Sequence, residues 1–432
     1  MRIIFLFAMM LGLLSACAGG TFLASPPNLY LAGKNYPSSL VAAPLRTATP
    51  EIFYVTDRVR EGDTYGAERS QAMAFGAATV RFGTDLTWAD VVERTHVDAG
   101  RAISSLTVDQ VQEMVRFSST PLPYERKDGE LRHLPASTAQ YQVETMAFQD
   151  AIRAQIAATG NTRILLYVHG FNNAFSDSVT TLANVWHFSG RGTIPVAFTW
   201  PAGAGAGPLG YFRDRDAGTF SVHHAKEFIR MLASIPEVSD IDIVAHSRGT
   251  DVVTTALREL IIFARGQGIH PKIALKTGTF IMAAPDLDID IVRQRLQAER
   301  FSEAFEQINL YINPDDAALR LSAYLTRSRR LGALKSEDFA DGELQLLSKQ
   351  GLVHFIRVEQ VRGGFGHAYF RDNPAVLSDV VLALRTRAFP GGSLRPLEQD
   401  ESGVWVLYPN YPLERLPELE LLLAREQRSD ER

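Results

Sequence analysis

Cysteine is nearly missing from this chain of 432 residues. Cys17 is the only one, which excludes an intrachain disulfide and any Cys-rich zinc site. Charge of one sign is not in excess either. The 44 basic and 49 acidic residues leave a formal net charge of −5 without a long basic run. A phosphate backbone would find little to neutralise, and no nucleic-acid partner is expected. The longest apolar run, residues 3–14, is too short to cross a bilayer. There is no H-E-x-x-H; His223 and His224 are adjacent, so on a helix they would point about 100° apart, and both are expected in solvent. No metal is therefore expected. A formal G-x-G-x-x-G spans residues 205–210, but it begins several residues beyond the nearest candidate strand. Pro208 removes a donor from it, and the next helical pattern starts only near Ala217, so no helix N-terminus would face a pyrophosphate. No Lys-Ser/Thr follows, and no cofactor is expected.

What remains is an ordinary globular composition, 46% hydrophobic and 22% charged, able to bury a large core. The N-terminus stands apart. Met1-Arg2, the apolar stretch 3–14 and Leu14-Ser15-Ala16-Cys17 form a signal-peptide pattern ending in a sequence that resembles a bacterial lipobox. Diacylation of the Cys17 thiol, cleavage before it and acylation of the new N-terminus would anchor the chain, each buried methylene contributing about 0.8 kcal/mol. Ala18, rather than Asp, follows the cysteine, as in lipoproteins sorted to the outer membrane. The expected address is thus the bacterial cell envelope, lipid-anchored, at the outer membrane facing the periplasm. The expected organisation is a leader over 1–17, a flexible tether over 18–50 rich in Ala, Gly, Ser and Pro, a folded domain over 51–390, and an irregular extension over 391–432.

Within the domain, apolar strand runs alternate with helical periodicity. Strands are expected at about 52–55, 73–82, 164–168, 194–199, 241–245, 278–284, 307–312 and 353–361, and helices at about 143–158, from 176, 217–233 and behind 247. Residues 84–140 carry no assignable pattern. Strands apolar on both faces and separated by helices predict an α/β fold, with a mostly parallel central sheet covered by helices on both sides. Chemistry in such a sheet gathers at the carboxyl ends of the strands.

At one such end stands Ala245-His246-Ser247-Arg248-Gly249, a strand breaking into a helix with the pattern G-x-S-x-G, Ala replacing the first Gly. A serine on that turn projects its hydroxyl above the sheet. It needs a base, and the base needs an orienting acid. His367, on a Gly-rich loop after the last strand, is the candidate base; His354 falls inside a strand pattern and reads as structural. Asp316 is the candidate acid, with Asp315 and Asp286 as alternatives. The backbone N–H groups of Arg248 and Phe171 are the candidate oxyanion donors, and His169 reads as a structural hydrogen-bonder.

Taken with Tyr54-Val55-Thr56-Asp57-Arg58, Val168-His169-Gly170-Phe171-Asn172, Phe198-Thr199-Trp200-Pro201, Tyr211 with Asp214, Ala284-Pro285-Asp286, Asp316-Ala317-Ala318-Leu319 and Gly366-His367, the chain resembles the α/β-hydrolase superfamily. Within it, the chain is similar to a bacterial family of hydrolase-like proteins of unknown function. The resemblance implies a Ser/Asp/His triad and an esterase- or lipase-like activity but supplies no substrate. A small-molecule or lipid ester is the expected partner, the lipid class on the ground of the membrane tether alone. A different class of function, a catalytically inactive envelope lipoprotein using the fold for binding or assembly, carries the same fold.

Overall fold

The computed structural model describes residues 25–31, 36–96, 105–203, 205, 207–339, 343, 349–360, 366–419 and 422–423; the expected leader and Cys17 lie outside them. Two long strands, β1 (Glu51–Glu61) and β2 (Thr64–Phe82), open the domain as an antiparallel pair, with β3 (Leu106–Arg116) antiparallel beyond β2. The span 84–140 also contains the helix Trp88–Arg94, capped by Thr87, and a separate hairpin of β4 (Tyr124–Lys127) and β5 (Glu130–His133).

The parallel strands follow. They are β6 (Arg163–Val168), β7 (Ile194–Thr199), β8 (Asp240–His246), β9 (Thr277–Ala283), β10 (Gln307–Ile312) and β11 (Val353–Val358). The short β12 (Glu398–Gln399) and β13 (Trp405–Leu407) complete an eleven-stranded sheet in the order β12-β13-β11-β10-β9-β8-β6-β7-β1-β2-β3. Every residue of β7, β9 and β10 is buried, as a sheet covered on both faces requires. Side chains alternate between the two cores. Ile164, Leu166 and Val168 of β6, with Ile241, Ile243 and Ala245 of β8, face one; Leu165, Tyr167 and Val244 face the other.

Helices lie between the strands as the apolar periodicity predicts. The helix Gly249–Gly266 buries Val252, Val253, Ala256, Leu257, Leu260 and Ile261 along one stripe. Two helices begin earlier than their apolar pattern does, Pro135–Thr159 and Pro208–Ala233. Each has proline in its first turn, where the missing N–H is not needed, and polar residues that hide the period. The second one corrects a premise above: a helix does start inside the glycine-rich segment, at Pro208.

Both flanks are more ordered than composition suggests. Within 18–50, a flexible tether is not what the described residues form. Leu29 and Tyr30 are fully buried, Asn28 Nδ2 donates to the carbonyls of Pro409 and Tyr411 at 3.0 and 2.8 Å, and Arg191 Nη1 holds the carbonyls of Leu45 and Thr47. A few large apolar side chains among many small ones are enough to fill a seam. The stretch after 390 likewise is not an appendage: β13 pairs parallel with β11, and Arg395 forms an ion pair with Asp379 at 2.7 Å with both side chains fully buried.

The strand order places the site. β6 has β7 on one side and β8 on the other, so the chain leaves the ends of β6 and β8 in diverging directions. A crevice opens at such a switch point.

Candidate active site

Ser247 follows β8 directly and adopts φ 51°, the left-handed region that non-glycine residues rarely occupy. The turn is held from both sides: Ser247 N–H donates to the Ala283 carbonyl at 2.9 Å, and the Ser247 carbonyl accepts from Thr250 N–H at 3.1 Å. Space explains the small neighbours. A Cβ on Gly249 would come 2.2 Å from the His169 carbonyl oxygen, and one on Gly170 would come 2.8 Å from Ser247 Cβ. Strand, turn and helix backbones are nearly in contact here. Ala245 is fully buried in β8 between Val168 of β6 and Met282 of β9, so its methyl group fits where the pattern has glycine.

His367 Nδ1 lies 2.7 Å from Asp316 Oδ2, and both side chains are buried. An ionised carboxylate only accepts, so the proton sits on Nδ1 and Nε2 keeps a free lone pair. Asp316 performs two tasks with two oxygens, because Oδ1 also accepts from Leu319 N–H at 3.0 Å and caps the helix Ala317–Thr326. Burial alone would lower the pKa of His367. The charge and hydrogen bond of Asp316, with the charge of Asp286, outweigh it and raise the value above its usual 6.5.

The other two aspartates lie elsewhere in the hydrogen-bonding scheme. Asp315 is 92% exposed, and its Oδ1 lies 3.5 Å from Arg320 Nη1. Asp286 is buried beside the site but accepts from Ser322 Oγ at 2.7 Å and Tyr211 OH at 2.9 Å. Arg330 Nε lies 3.2 Å away, within ion-pair range though not aligned for a hydrogen bond. Burial pushes its pKa up, but the charges of Arg330 and Arg248 and these two hydrogen bonds bring it below the usual carboxylate value.

Ser247, His367, Asp286, Tyr211, Ser322 and Phe171 line one small cavity with Ala318, Leu319, Leu321 and Leu325 of the helix Asp316 caps. It encloses about 30 Å³, room for a water molecule. Among the described residues, no acceptor is assigned to the backbone N–H of Phe171 or of Arg248. Both groups stand on the loops after β6 and β8 that flank the crevice.

The loop carrying Phe171 is braced by groups that composition could not reveal. Arg58, 1% exposed, donates to the carbonyls of Ala202 and Asn173 and to His169 Nε2. Burial lowers its pKa to about 10, well above neutrality, so it stays charged. Asp214 accepts from the N–H groups of Asn172 and Gly203 at 2.8 and 3.2 Å. His169 stacks on Trp200 with ring centroids 5.0 Å apart, and burial beside Arg58 lowers its pKa to about 3. It is a neutral structural ring. His354 is likewise buried in β11, its pKa lowered to about 4 by burial. One histidine departs from expectation: His223 is exposed, but His224 is buried, with Nδ1 3.0 Å from Asp57 and Nε2 3.1 Å from Thr120. It ties the helix Pro208–Ala233 to β1. Ser322, Leu321 and Leu325 were not singled out from the sequence, although their spacing after Asp316 puts them on one helical face.

A protein-family model described as an alpha/beta hydrolase of unknown function (DUF900) matches residues 144–385, more than half of the chain. No curated protein matches it.

Proposed function

The chain belongs to this family of α/β hydrolases of unknown function, and from that premise we propose that it is a serine hydrolase cleaving carboxylic esters through an acyl-enzyme. The observation that carries the proposal is the shared cavity. A serine in a strained elbow faces it together with a histidine whose tautomer a buried aspartate fixes, beside two N–H groups without acceptors among the described residues.

Ser247 Oγ would attack the ester carbonyl carbon while its proton passes to His367 Nε2, and Asp316 would stabilise the imidazolium. The carbonyl π electrons move to oxygen, where the N–H groups of Phe171 and Arg248 would hold the oxyanion. On collapse, the leaving alkoxide takes the proton from Nε2 and departs as the alcohol. Water then gives a proton to the same nitrogen and attacks the acyl-enzyme, and that proton returns to Ser247 as the carboxylic acid leaves. The cavity lining mixes polar groups, Asp286, Tyr211 and Ser322, with the apolar side chains of Phe171, Leu321 and Leu325.

The address is part of the same proposal. Lipidation of Cys17 would hold the enzyme at the envelope membrane, in the outer membrane facing the periplasm, and makes lipid or lipid-like esters a substrate class to include. What supports this is the sequence pattern of residues 1–18 alone.

A fluorophosphonate probe tests the chemistry. Protein lacking residues 1–17 should be labelled, and Ser247→Ala should not. Equal labelling of both would remove Ser247 from the role. An unlabelled wild type, with no turnover across esters of short and medium acyl length, would favour a fold retained for binding or assembly.

A further inference from the structure

His246, the residue before the nucleophile, has a place that the reaction scheme above does not use. It ends β8 at 5% exposure. Its Nε2 lies 3.1 Å from the backbone carbonyl oxygen of His367, and a carbonyl only accepts, so Nε2 carries the proton. Its ring packs against two others, His367 at 4.8 Å between centroids and Phe370 also at 4.8 Å. The opposite edge of the ring faces the oxyanion loop, where a Cβ on Gly170 would come 3.1 Å from His246 Nδ1. One side chain therefore touches the segment that bears the base and the loop that bears Phe171.

We propose that His246 is a positioning residue, a neutral clamp that fixes the backbone and ring plane of His367 relative to Ser247 and the oxyanion loop. The inference rests on the serine-hydrolase reading. Asp316 fixes one ring nitrogen of His367, and Asn313 Nδ2 holds the preceding Gly366 carbonyl at 3.1 Å, which leaves the carbonyl of residue 367 itself to be restrained. The hydrogen bond from His246 supplies that restraint, and contact with the two rings limits rotation of the imidazole. Neutrality is essential, since a second imidazolium against His367 would oppose the charge formed during catalysis. Burial, followed by the neighbouring charges of His367 and Arg371, keeps the His246 pKa well below 6.5, so the clamp stays uncharged while its partner titrates. The position is also constrained sterically: the ring fills the space between Gly170 and Phe370, and a shorter side chain would leave the His367 segment free to move.

Two substitutions separate the donor from the ring. His246→Phe keeps an aromatic ring in place and loses the hydrogen bond; His246→Gln keeps a donor near the Nε2 position. His246→Phe should react with a fluorophosphonate and turn over p-nitrophenyl acetate about 10- to 100-fold more slowly, the loss expected from misplacing a reacting group by about 1 Å. The loss should fall on kcat, with KM little changed, and His246→Gln should recover most of it. Ring ¹H–¹⁵N spectra of Ser247→Ala protein should show His246 as the neutral Nε2–H tautomer from pH 5 to 8. A wild-type rate in His246→Phe, failure of Gln to restore what Phe loses, or an Nδ1–H or protonated His246 would overturn the clamp while leaving the hydrolase reading intact. An unlabelled wild type would overturn both.

Discussion

Replacing Asp316 by Asn isolates one function of a residue that has two. The amide keeps Oδ1, which can still accept from Leu319 N–H, so the cap of the helix Ala317–Thr326 survives. Losing that cap outright would cost about 1 kcal/mol, and Asp316→Ala should show it. Toward His367, the change is more severe. Across a 2.7 Å contact, the amide nitrogen is a donor, so Nδ1 must become the acceptor and the ring proton moves to Nε2. That nitrogen can then no longer take the Ser247 proton. Such a tautomer reversal in a Ser-His-Asp arrangement lowers kcat by about 10⁴, or about 5 kcal/mol in the barrier.

The pH profile gives a second reading of the same substitution. The base must be neutral to act, and the wild-type His367 pKa is raised above 6.5, so the acid limb of the rate should have its midpoint above 6.5. Folded-state stability has the opposite slope. A raised pKa contributes stability below 6.5, and the contribution fades as pH rises through the folded value. Without the Asp316 charge, burial dominates and the folded pKa falls below 6.5, so the acid limb should move to lower pH and the stability contribution should reverse sign, being lost as pH falls. Steady-state hydrolysis of p-nitrophenyl acetate, fluorophosphonate labelling rates and urea midpoints from pH 5 to 9 measure all three. Activity of Asp316→Asn within tenfold of wild type would refute the assignment. So would an equally severe loss in Asp286→Asn without one in Asp316→Asn, which would transfer the acid role to Asp286.

Other substitutions test the frame around the site. Ser247→Gly should abolish labelling yet raise the urea-derived stability by about 1 kcal/mol, because glycine relieves the cost of φ 51° at this position; a lower stability would contradict the strain. Gly249→Ala would place a Cβ 2.2 Å from the His169 carbonyl oxygen, and the helix would have to separate from β6. Loss of both activity and at least about 2 kcal/mol is expected, and crystals with an undisturbed elbow would argue against it. Arg395→Met strands the fully buried Asp379 carboxylate, whose pairing distance is 2.7 Å, at a cost of about 3–5 kcal/mol. Limited proteolysis should then cut first after residue 390; an unchanged digestion pattern would show that the C-terminal strands hold without the pair.

Much of the fold was legible because the interior strands are short, continuous and apolar. Their bounds at 164–168, 194–199 and 307–312 agree with the observed strands to within a residue. Elements whose apolar signal is diluted were not legible. The helix from Pro208 opens with Gly210, Arg213, Asp214 and Arg215, and the edge strands after 390 lie in a proline-rich stretch. Burial of Leu29 and Tyr30 depended on a seam formed by residues several hundred positions away, which no local window contains.

At the site, the division follows the range of the forces involved. The elbow is a local object. Its small residues, its serine and the strand-to-helix change lie within a few consecutive positions, so the sequence alone marked the candidate nucleophile. Chain order alone also supplied a candidate base and a short choice of candidate acids. The choice among those acids is not local. Asp315 and Asp316 are neighbours of identical chemistry, and one is 92% exposed while the other is fully buried against His367. That difference arises from the direction in which the β10 end turns into the next helix. The same holds for His246 and Arg58, whose partners lie 121 and 115 residues away. Composition and spacing marked which residues could carry chemistry. Only the packing of β6, β8 and the His367 loop into one crevice decided which groups meet, because hydrogen bonds act over about 3 Å and sequence separation sets no such distance.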